Sequence, residues 1–401
     1  MNYFPKSLRA AAGCASVAFF AVGCGGASVP ATPNAPISGA TIDAQAGHFR
    51  LLHAFGKSPD GGAPSGGLTL LDGSLFGLTQ DGGKYGAGTV YSLSITGKEK
   101  VLHSFDYNDD GYTPEGELLA YNGVLYGTIA AGQNFYGDVY SITTNGTFNI
   151  LHKFSGLDGV SPDAGLTEVG GLLYGTTLDG GTHNNGGTVY AVTPSGGESI
   201  VYSFGAQPND GNEPACTLTF WKGKFYGTTN GGGAYNGGTV FSLTTSGKEV
   251  VLHNFGNGSD GKAPESSNIT PLNGVLYGTT NGGGKYGEGI VFKMLFSGAT
   301  QTLYNFGDNS DDGAYPDAGV IAYRGALYGM TKSGGANNDG TIFRVTAGGK
   351  ETTLHSFDGN DGRSSYGRLL PQGSNLYGTT LSGGPDIRTY LQGGTAFRFT
   401  P

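Results

Sequence analysis

The chain has 401 residues, 77 of them glycine, with 11% aromatic and 13% charged residues and a formal charge of −9. Glycine at this level without a Gly-X-Y period excludes collagen, and the aromatic content with so few charges excludes a disordered chain. The acidic balance, with no Lys/Arg cluster anywhere, argues against nucleic acid as a partner, because phosphate binding needs basic surface.

The first segment reads as a targeting signal. Lys6 and Arg9 precede a small apolar run, Ala10 to Val22, too short to span a bilayer and suited to a secretory signal. It ends Ala21-Val22-Gly23-Cys24, which resembles a bacterial lipobox, in which the cysteine is lipidated and becomes the new first residue. Ala21 departs from the leucine that pattern prefers, and an ordinary cleaved secretory peptide is the alternative. Losing residues 1–23 removes Lys6 and Arg9 and takes the formal charge from −9 to −11. Cys24 would then anchor the protein to a membrane. Gly25 is not the aspartate associated with inner-membrane retention, so the outer membrane is the expected address. Residues 24–46, rich in Ala, Pro, Ser and Thr, read as a flexible tether. With Cys14 removed and Cys24 acylated, Cys216 has no disulfide partner and is expected to be a small packed residue.

Residues 47–401 form one repeat array. Leu-Tyr-Gly or a close variant recurs at Leu75, Leu125, Leu173, Phe225, Leu276, Leu327 and Leu376, at steps of 50, 48, 52, 51, 51 and 49 residues. A period near 50 built of short strands predicts a propeller. In the second unit the first strand is expected at Glu117–Tyr121 and the second at Val124–Thr128. They are joined by Asn122-Gly123, a strong hairpin signal because both turn residues need positive φ. The third strand is Gly-Thr-Val-Tyr-like (Thr89–Leu93, Thr188–Val192, Thr239–Leu243, Thr341–Val345 and their counterparts). The fourth is the Val-Leu-His-Ser-Phe run. The array opens on a fourth strand, Phe49–Phe55, and closes on a third, Thr395–Phe399, so each end is an incomplete unit that complements the other. These features predict an all-β fold: a seven-bladed β-propeller of four-stranded blades, its ring closed by pairing of the N- and C-terminal strands. A ring closed on itself is expected to be a monomer.

The units resemble the GloVer tandem repeat of bacterial choice-of-anchor proteins. The matching elements are the Gly-Thr-Val-Tyr strand, the Leu-His-Ser-Phe strand, the Asp-Gly-x-x-Pro loop, and Leu-Tyr-Gly-Thr-Thr followed by Gly-Gly. The resemblance spans about residues 48–401 and implies an exported, anchored protein. It brings no activity or catalytic residue. The last unit departs from the pattern: Ser365 replaces the loop proline, and Pro385 to Gln392 is inserted in the Gly-Gly loop.

Antiparallel alternation places the Asp-Gly loop after strand four and the Gly-Gly loop after strand two on one face, the expected binding face. Comparing the seven units identifies the candidate residues. The strand histidine is His53, His103, His152, His253 and His355, but Tyr202 and Tyr304 in the other units, which suits a structural ring with one hydrogen-bonding atom. Each Asp-Gly loop carries an aspartate: Asp60, Asp110, Asp158, Asp210, Asp260, Asp312 and Asp361. A turn role accounts for them. The alternative is calcium, for which Asn108-Asp109-Asp110 and Asp308, Asp311 and Asp312 concentrate hard oxygen atoms. The Gly-Gly loops carry Tyr85, Tyr136, Tyr235, Tyr286 and Tyr390, with His183 and Asn337 in the remaining units. They either stack on sugar rings or fold down over their own blades. Residues without a counterpart in other units are few: Trp221, His183, and Asp386, Arg388 and Tyr390 of the insertion. No nucleophile elbow, zinc spacing or phosphate loop occurs. The leading expectation is a non-catalytic, lipid-anchored module that binds a glycan or protein. The alternatives are an extracellular polysaccharide-acting enzyme with carboxylates at the ring mouth, and a calcium-stabilised envelope module.

Overall fold

The computed structural model describes residues 47–56, 59–385 and 393–401. Cys24, the tether, and Asp386, Arg388 and Tyr390 of the insertion lie outside the described residues. Seven four-stranded antiparallel sheets follow one another around a ring, each ordered first, second, third, fourth strand. The second blade is Tyr112–Tyr121, Val124–Ala131, Asp138–Thr143 and Phe148–Lys153. The seventh is assembled from both ends of the chain: Leu370–Gln372, Asn375–Thr380 and Thr395–Thr400, with His48–Ala54 as its outermost strand. Phe49 sits opposite Phe399 across that junction.

The hairpin turns adopt the expected geometry, with φ of 51° and 76° at Asn122 and Gly123. Third strands at Thr89–Leu93, Thr188–Val192, Thr239–Leu243 and Thr341–Val345 match the sequence reading. The second blade's first strand is longer than expected. It continues pairing beyond an irregularity between Glu115 and Leu119, so that Tyr112 still faces Ala131. In the fourth to sixth blades the same extension is a separate two-residue ladder, such as Gly211–Asn212 with Gly231–Gly232.

The Leu-Tyr-Gly beat has a packing cause. In every blade the third-strand aromatic lies across the glycine of the second strand: Tyr91 on Gly77, Tyr140 on Gly127 and Tyr190 on Gly175, then Phe241 on Gly227, Phe292 on Gly278, Phe343 on Gly329 and Phe397 on Gly378. A Cβ on any of these glycines would overlap the ring. The interchange of Tyr and Phe shows that the ring, rather than its hydroxyl, is what the site requires; the hydroxyls of Tyr91, Tyr140 and Tyr190 are buried without a hydrogen-bond partner.

First strands line the axis and are tied to one another by side chains. Thr167 Oγ1 donates to Leu218 O (2.5 Å), Thr270 Oγ1 to Val320 O (2.5 Å), and Thr69 Oγ1 to Leu118 O. A second set runs from the Tyr-Gly-Thr threonines: Thr128 to Ala164 O (3.0 Å), Thr228 to Ser267 O (3.1 Å), and Thr379 to Gly66 O (2.8 Å), the last crossing the ring closure. Cys216 is buried as expected, its Sγ accepting the Thr228 N–H at 3.0 Å.

Closure leans on Phe49, which stacks on His355 of the sixth blade (4.3 Å, 7°) and on Phe397 of its own (5.1 Å). Phe49→Ala is expected to cost about 2–4 kcal/mol in urea unfolding followed by circular dichroism. Arg50→Ala, at an exposed position beside it, should leave the midpoint where it was.

Candidate functional site

The ring residue of each fourth strand meets the aspartate of the loop that follows it. His53, His103, His152, His253 and His355 place Nε2 2.9, 2.5, 3.0, 2.8 and 2.7 Å from the Oδ2 of Asp60, Asp110, Asp158, Asp260 and Asp361. Tyr202 and Tyr304 donate their hydroxyls to Asp210 and Asp312 at 2.8 and 2.9 Å. An ionised carboxylate only accepts, so the proton lies on Nε2. Imidazole and phenol therefore interchange because each puts one donor at one place. All seven aspartates also accept a backbone N–H that shapes the turn: Asp60 from Gly61, Asp110 from Asp106, Asp158 from Ser155, Asp210 from Gly205, Asp260 from Gly261, Asp312 from Gly307 and Asp361 from Asp358.

The pinned loop then reaches the neighbouring blade. In all seven loops the residue before the proline position is left-handed, with φ from 50° to 58°: Ala63, Thr113, Ser161, Glu213, Ala263, Tyr315 and Ser364. None is glycine, so the conformation is imposed by what it achieves. Ser161 N–H donates to Tyr136 O, Glu213 N–H to Gly186 O and Tyr315 N–H to Glu288 O, each a Gly-Gly loop of the preceding blade. The proline that follows rests on the glycine of the preceding Gly-Thr-Val-Tyr strand; a Cβ on Gly88 would lie 2.8 Å from Pro114 Cδ. Gly340, facing the unit in which Ser365 replaces proline, has no such neighbour.

A position that sequence comparison passed over decides how each blade junction is filled. Four residues before the ring residue stand Phe49, Glu99, Phe148, Glu198, Glu249, Thr300 and Glu351. This side chain faces the ring–Asp pair of the preceding blade. Phe148 stacks on His103 (4.1 Å, 1°), as Phe49 does on His355. Glu99 and Glu198 instead approach His53/Asp60 and His152/Asp158, and among the described residues these are the groups whose donor atoms converge closely enough to share an ion. Burial, followed by the facing Asp60 and Asp158, pushes Glu99 and Glu198 each up to about 7. Burial and then Asp210 raise Glu249 to about 8, and burial and then Asp312 raise Glu351 to about 7.

The fifth blade supplies only Thr300, and there the junction is open. A cleft of about 530 Å³ is lined by Tyr235, His253, Asn257, Ser259, Asp260 and Thr300 among others. A second, of about 400 Å³, is lined by Lys84, Tyr85, His103, Asp106, Asp109 and Asp110. The structure thus brings Tyr235 together with Asp260, and Tyr85 with Asp110. Tyr235 is 54% exposed. Lys84 holds Tyr85 by a hydrogen bond (2.7 Å) and a cation over its ring (4.6 Å). Tyr286 is exposed, capped by Lys285 in the same manner, and donates to Asp308. Tyr136 turns inward against the core shared by its own blade and the next, and Phe135 stands exposed beside it. His183 is exposed, with Thr182 Oγ1 3.0 Å from its Nδ1. Trp221 lies on Phe296 (4.7 Å, 8°) beneath Lys222, away from both clefts.

A second acidic group went unread in the sequence. The residue after the loop proline is Glu115, Asp163, Glu265 or Asp317 in four units. Burial and the facing Asp163 carry Glu115 well above the ordinary carboxylate range; burial and Asp179 do the same to Asp163. A protonated buried carboxyl is what a general acid requires. These two, however, are 5% and 8% exposed, Glu115 accepts a bond from Gln80 of the preceding blade (3.0 Å), and neither lines either cleft. Their geometry is that of a blade junction.

Two outcomes follow from the ring–aspartate bond and its junction. His253→Tyr should keep stability within about 0.5 kcal/mol, whereas His253→Phe should lose about 1–3 kcal/mol in urea unfolding, because Asp260 keeps its burial and loses its donor. At Glu249 the folded carboxyl holds its proton up to about 8 while the unfolded chain releases it in the ordinary carboxylate range, so stability falls as pH rises between the two. Glu249→Gln should therefore raise the melting temperature at about pH 8.5 and change it little at about pH 5.

No curated protein matches the chain closely enough to serve as a relative. The profile of the Gloeobacter/Verrucomicrobia repeat matches residues 38–222, 128–323 and 217–401, which together run through every blade. Carrying that repeat from end to end of its ring, the chain belongs to the Gloeobacter/Verrucomicrobia repeat family.

Proposed function

We propose that this propeller is an exported, lipid-anchored binding module, held to the outer membrane through Cys24, that takes a glycan on the face carrying the Asp-Gly and Gly-Gly loops. The observation that carries the reading is the open junction between the fourth and fifth blades. There an exposed phenol ring, Tyr235, stands beside Asn257, Ser259, Asp260, Thr300 and Thr302 around a cleft of about 530 Å³. An amphipathic ring supplies a flat apolar surface for a sugar, and amide, hydroxyl and carboxylate groups supply donors and acceptors for its hydroxyls. Tyr85, beside Asp106, Asp109 and Asp110, repeats the arrangement in the first blade. Binding sites repeated around a rigid ring favour multivalent contact with a polymer.

A glycan array probed with the purified protein tests the reading, alongside Tyr235→Ala and Thr300→Phe. The second substitution is expected to fill the Thr300 side of the cleft with a ring stacked on His253, as Phe148 stacks on His103. Selective glycan binding lost in both variants supports the proposal. A folded protein that binds no glycan, or binding indifferent to both changes, sinks it and leaves a protein partner to be sought by crosslinking on intact cells.

A further inference from the structure

We propose that two of the seven blade junctions are binding sites for a divalent transition ion of the zinc type: His53, Asp60 and Glu99 where the ring-closing blade meets the first, and His152, Asp158 and Glu198 where the second meets the third. Each set offers one imidazole nitrogen and two carboxylate oxygens, all lying within 4.8 Å of one another. Three such ligands with a fourth position left to water are a zinc donor set. The nitrogen favours zinc and its neighbours in the transition series over calcium or magnesium, which take oxygen alone. Within each set the His Nε2 and Asp Oδ2 atoms are 2.9 and 3.0 Å apart. Adjacent ligands around a tetrahedral ion with bonds of about 2.0 Å are separated by roughly 3.3 Å, so the His–Asp pair needs little movement to share an ion, and the glutamate, within 4.8 Å, swings in to complete the set. The other oxygen of each aspartate is held by the chain, Asp60 Oδ1 by the Gly61 N–H (2.8 Å) and Asp158 Oδ1 by the Ser155 N–H (2.7 Å), which fixes Oδ2 toward the site.

A separate observation points to a cation. Glu99 Oε1, Glu198 Oε1 and Glu249 Oε1 are buried and have no hydrogen-bond partner, but among the described residues only at Glu99 and Glu198 does an imidazole nitrogen converge with the two carboxylates. A polar oxygen removed from water without a donor is costly, and a metal ion is a partner that serves both acids at once. The remaining junctions act as internal controls. At Glu249 and Glu351 the ring is Tyr202 or Tyr304, which brings no nitrogen, and Asp210 Oδ2 is already taken by the Tyr202 hydroxyl and the Gly205 and Ala206 N–H groups. At Phe148 and Phe49 the place of the acid is filled by a stacked ring. Because Glu99 and Glu198 come from the blade after their His and Asp partners, a bound ion staples neighbouring blades together, and one of the two staples sits where the ends of the chain close the ring.

Titration calorimetry of Zn²⁺ into the chelator-treated full chain tests this, with Co²⁺ absorption reporting a tetrahedral site. The expected result is two ions per chain, one after either Glu99→Gln or Glu198→Gln, none after both, and still two after Glu249→Gln. Zinc should raise the melting temperature of the parent and leave that of the double variant unchanged; melting without metal shows whether each variant is folded. Absence of saturable binding to the folded parent overturns the proposal. So does a stoichiometry that the folded Glu99→Gln and Glu198→Gln variants do not alter, which would assign the ion to other surface groups.

Discussion

One hydrogen bond, made seven times, organises this molecule: the ring at the end of each outer strand donates to the aspartate that starts the crossing to the next blade. A charge-assisted bond to a partly buried carboxylate is stronger than a neutral one and fixes the loop's direction. With the aspartate held, the residue before the proline position adopts its left-handed conformation and donates to the preceding blade, and the proline comes to rest on that blade's glycine. Blade and junction are therefore specified by the same few residues. At six of the seven non-glycine left-handed residues (Ala63, Ser161, Glu213, Ala263, Tyr315 and Ser364) the strain is offset by a cross-blade bond from their own N–H.

A frame specified in this way leaves one position per junction free to vary, the one four residues before the ring. Phenylalanine there makes an apolar stack, which at His103 leaves a cleft of about 400 Å³ beside it, glutamate makes a cross-blade acidic contact, and threonine forms part of the wall of the larger cleft. Chemical individuality in a ring of near-identical units thus resides in the junctions. The blades' interiors are nearly interchangeable: an aromatic on a glycine, flanked by Leu and Val at matching positions. The same logic separates the buried acids at the blade junctions from the clefts. Burial and a neighbouring carboxylate raise both Glu115 and Asp163 well above the ordinary carboxylate range, and neither opens on a cleft.

Much of the architecture was legible in the chain itself. Asn-Gly turns, Gly-Thr-Val-Tyr strands and complementary ends determined the number of blades, the strand order and the closure, because each rests on local physics: positive φ in a tight turn, alternation along a strand, and the cost of an unpaired edge. The equivalence of His and Tyr at the ring position also pointed to a structural role, since only a shared donor survives that exchange. What the chain could not disclose is which blade a side chain faces. Glu99 is four residues from His103, yet the histidine it meets is His53, 46 positions earlier and across a junction. Tyr235 and Tyr136 occupy equivalent loops, but one stands in solvent and the other packs on the core shared by its own blade and the next. Those outcomes depend on how neighbouring sheets are placed face to face, which short-range periodicity does not encode and which only the closed ring decides.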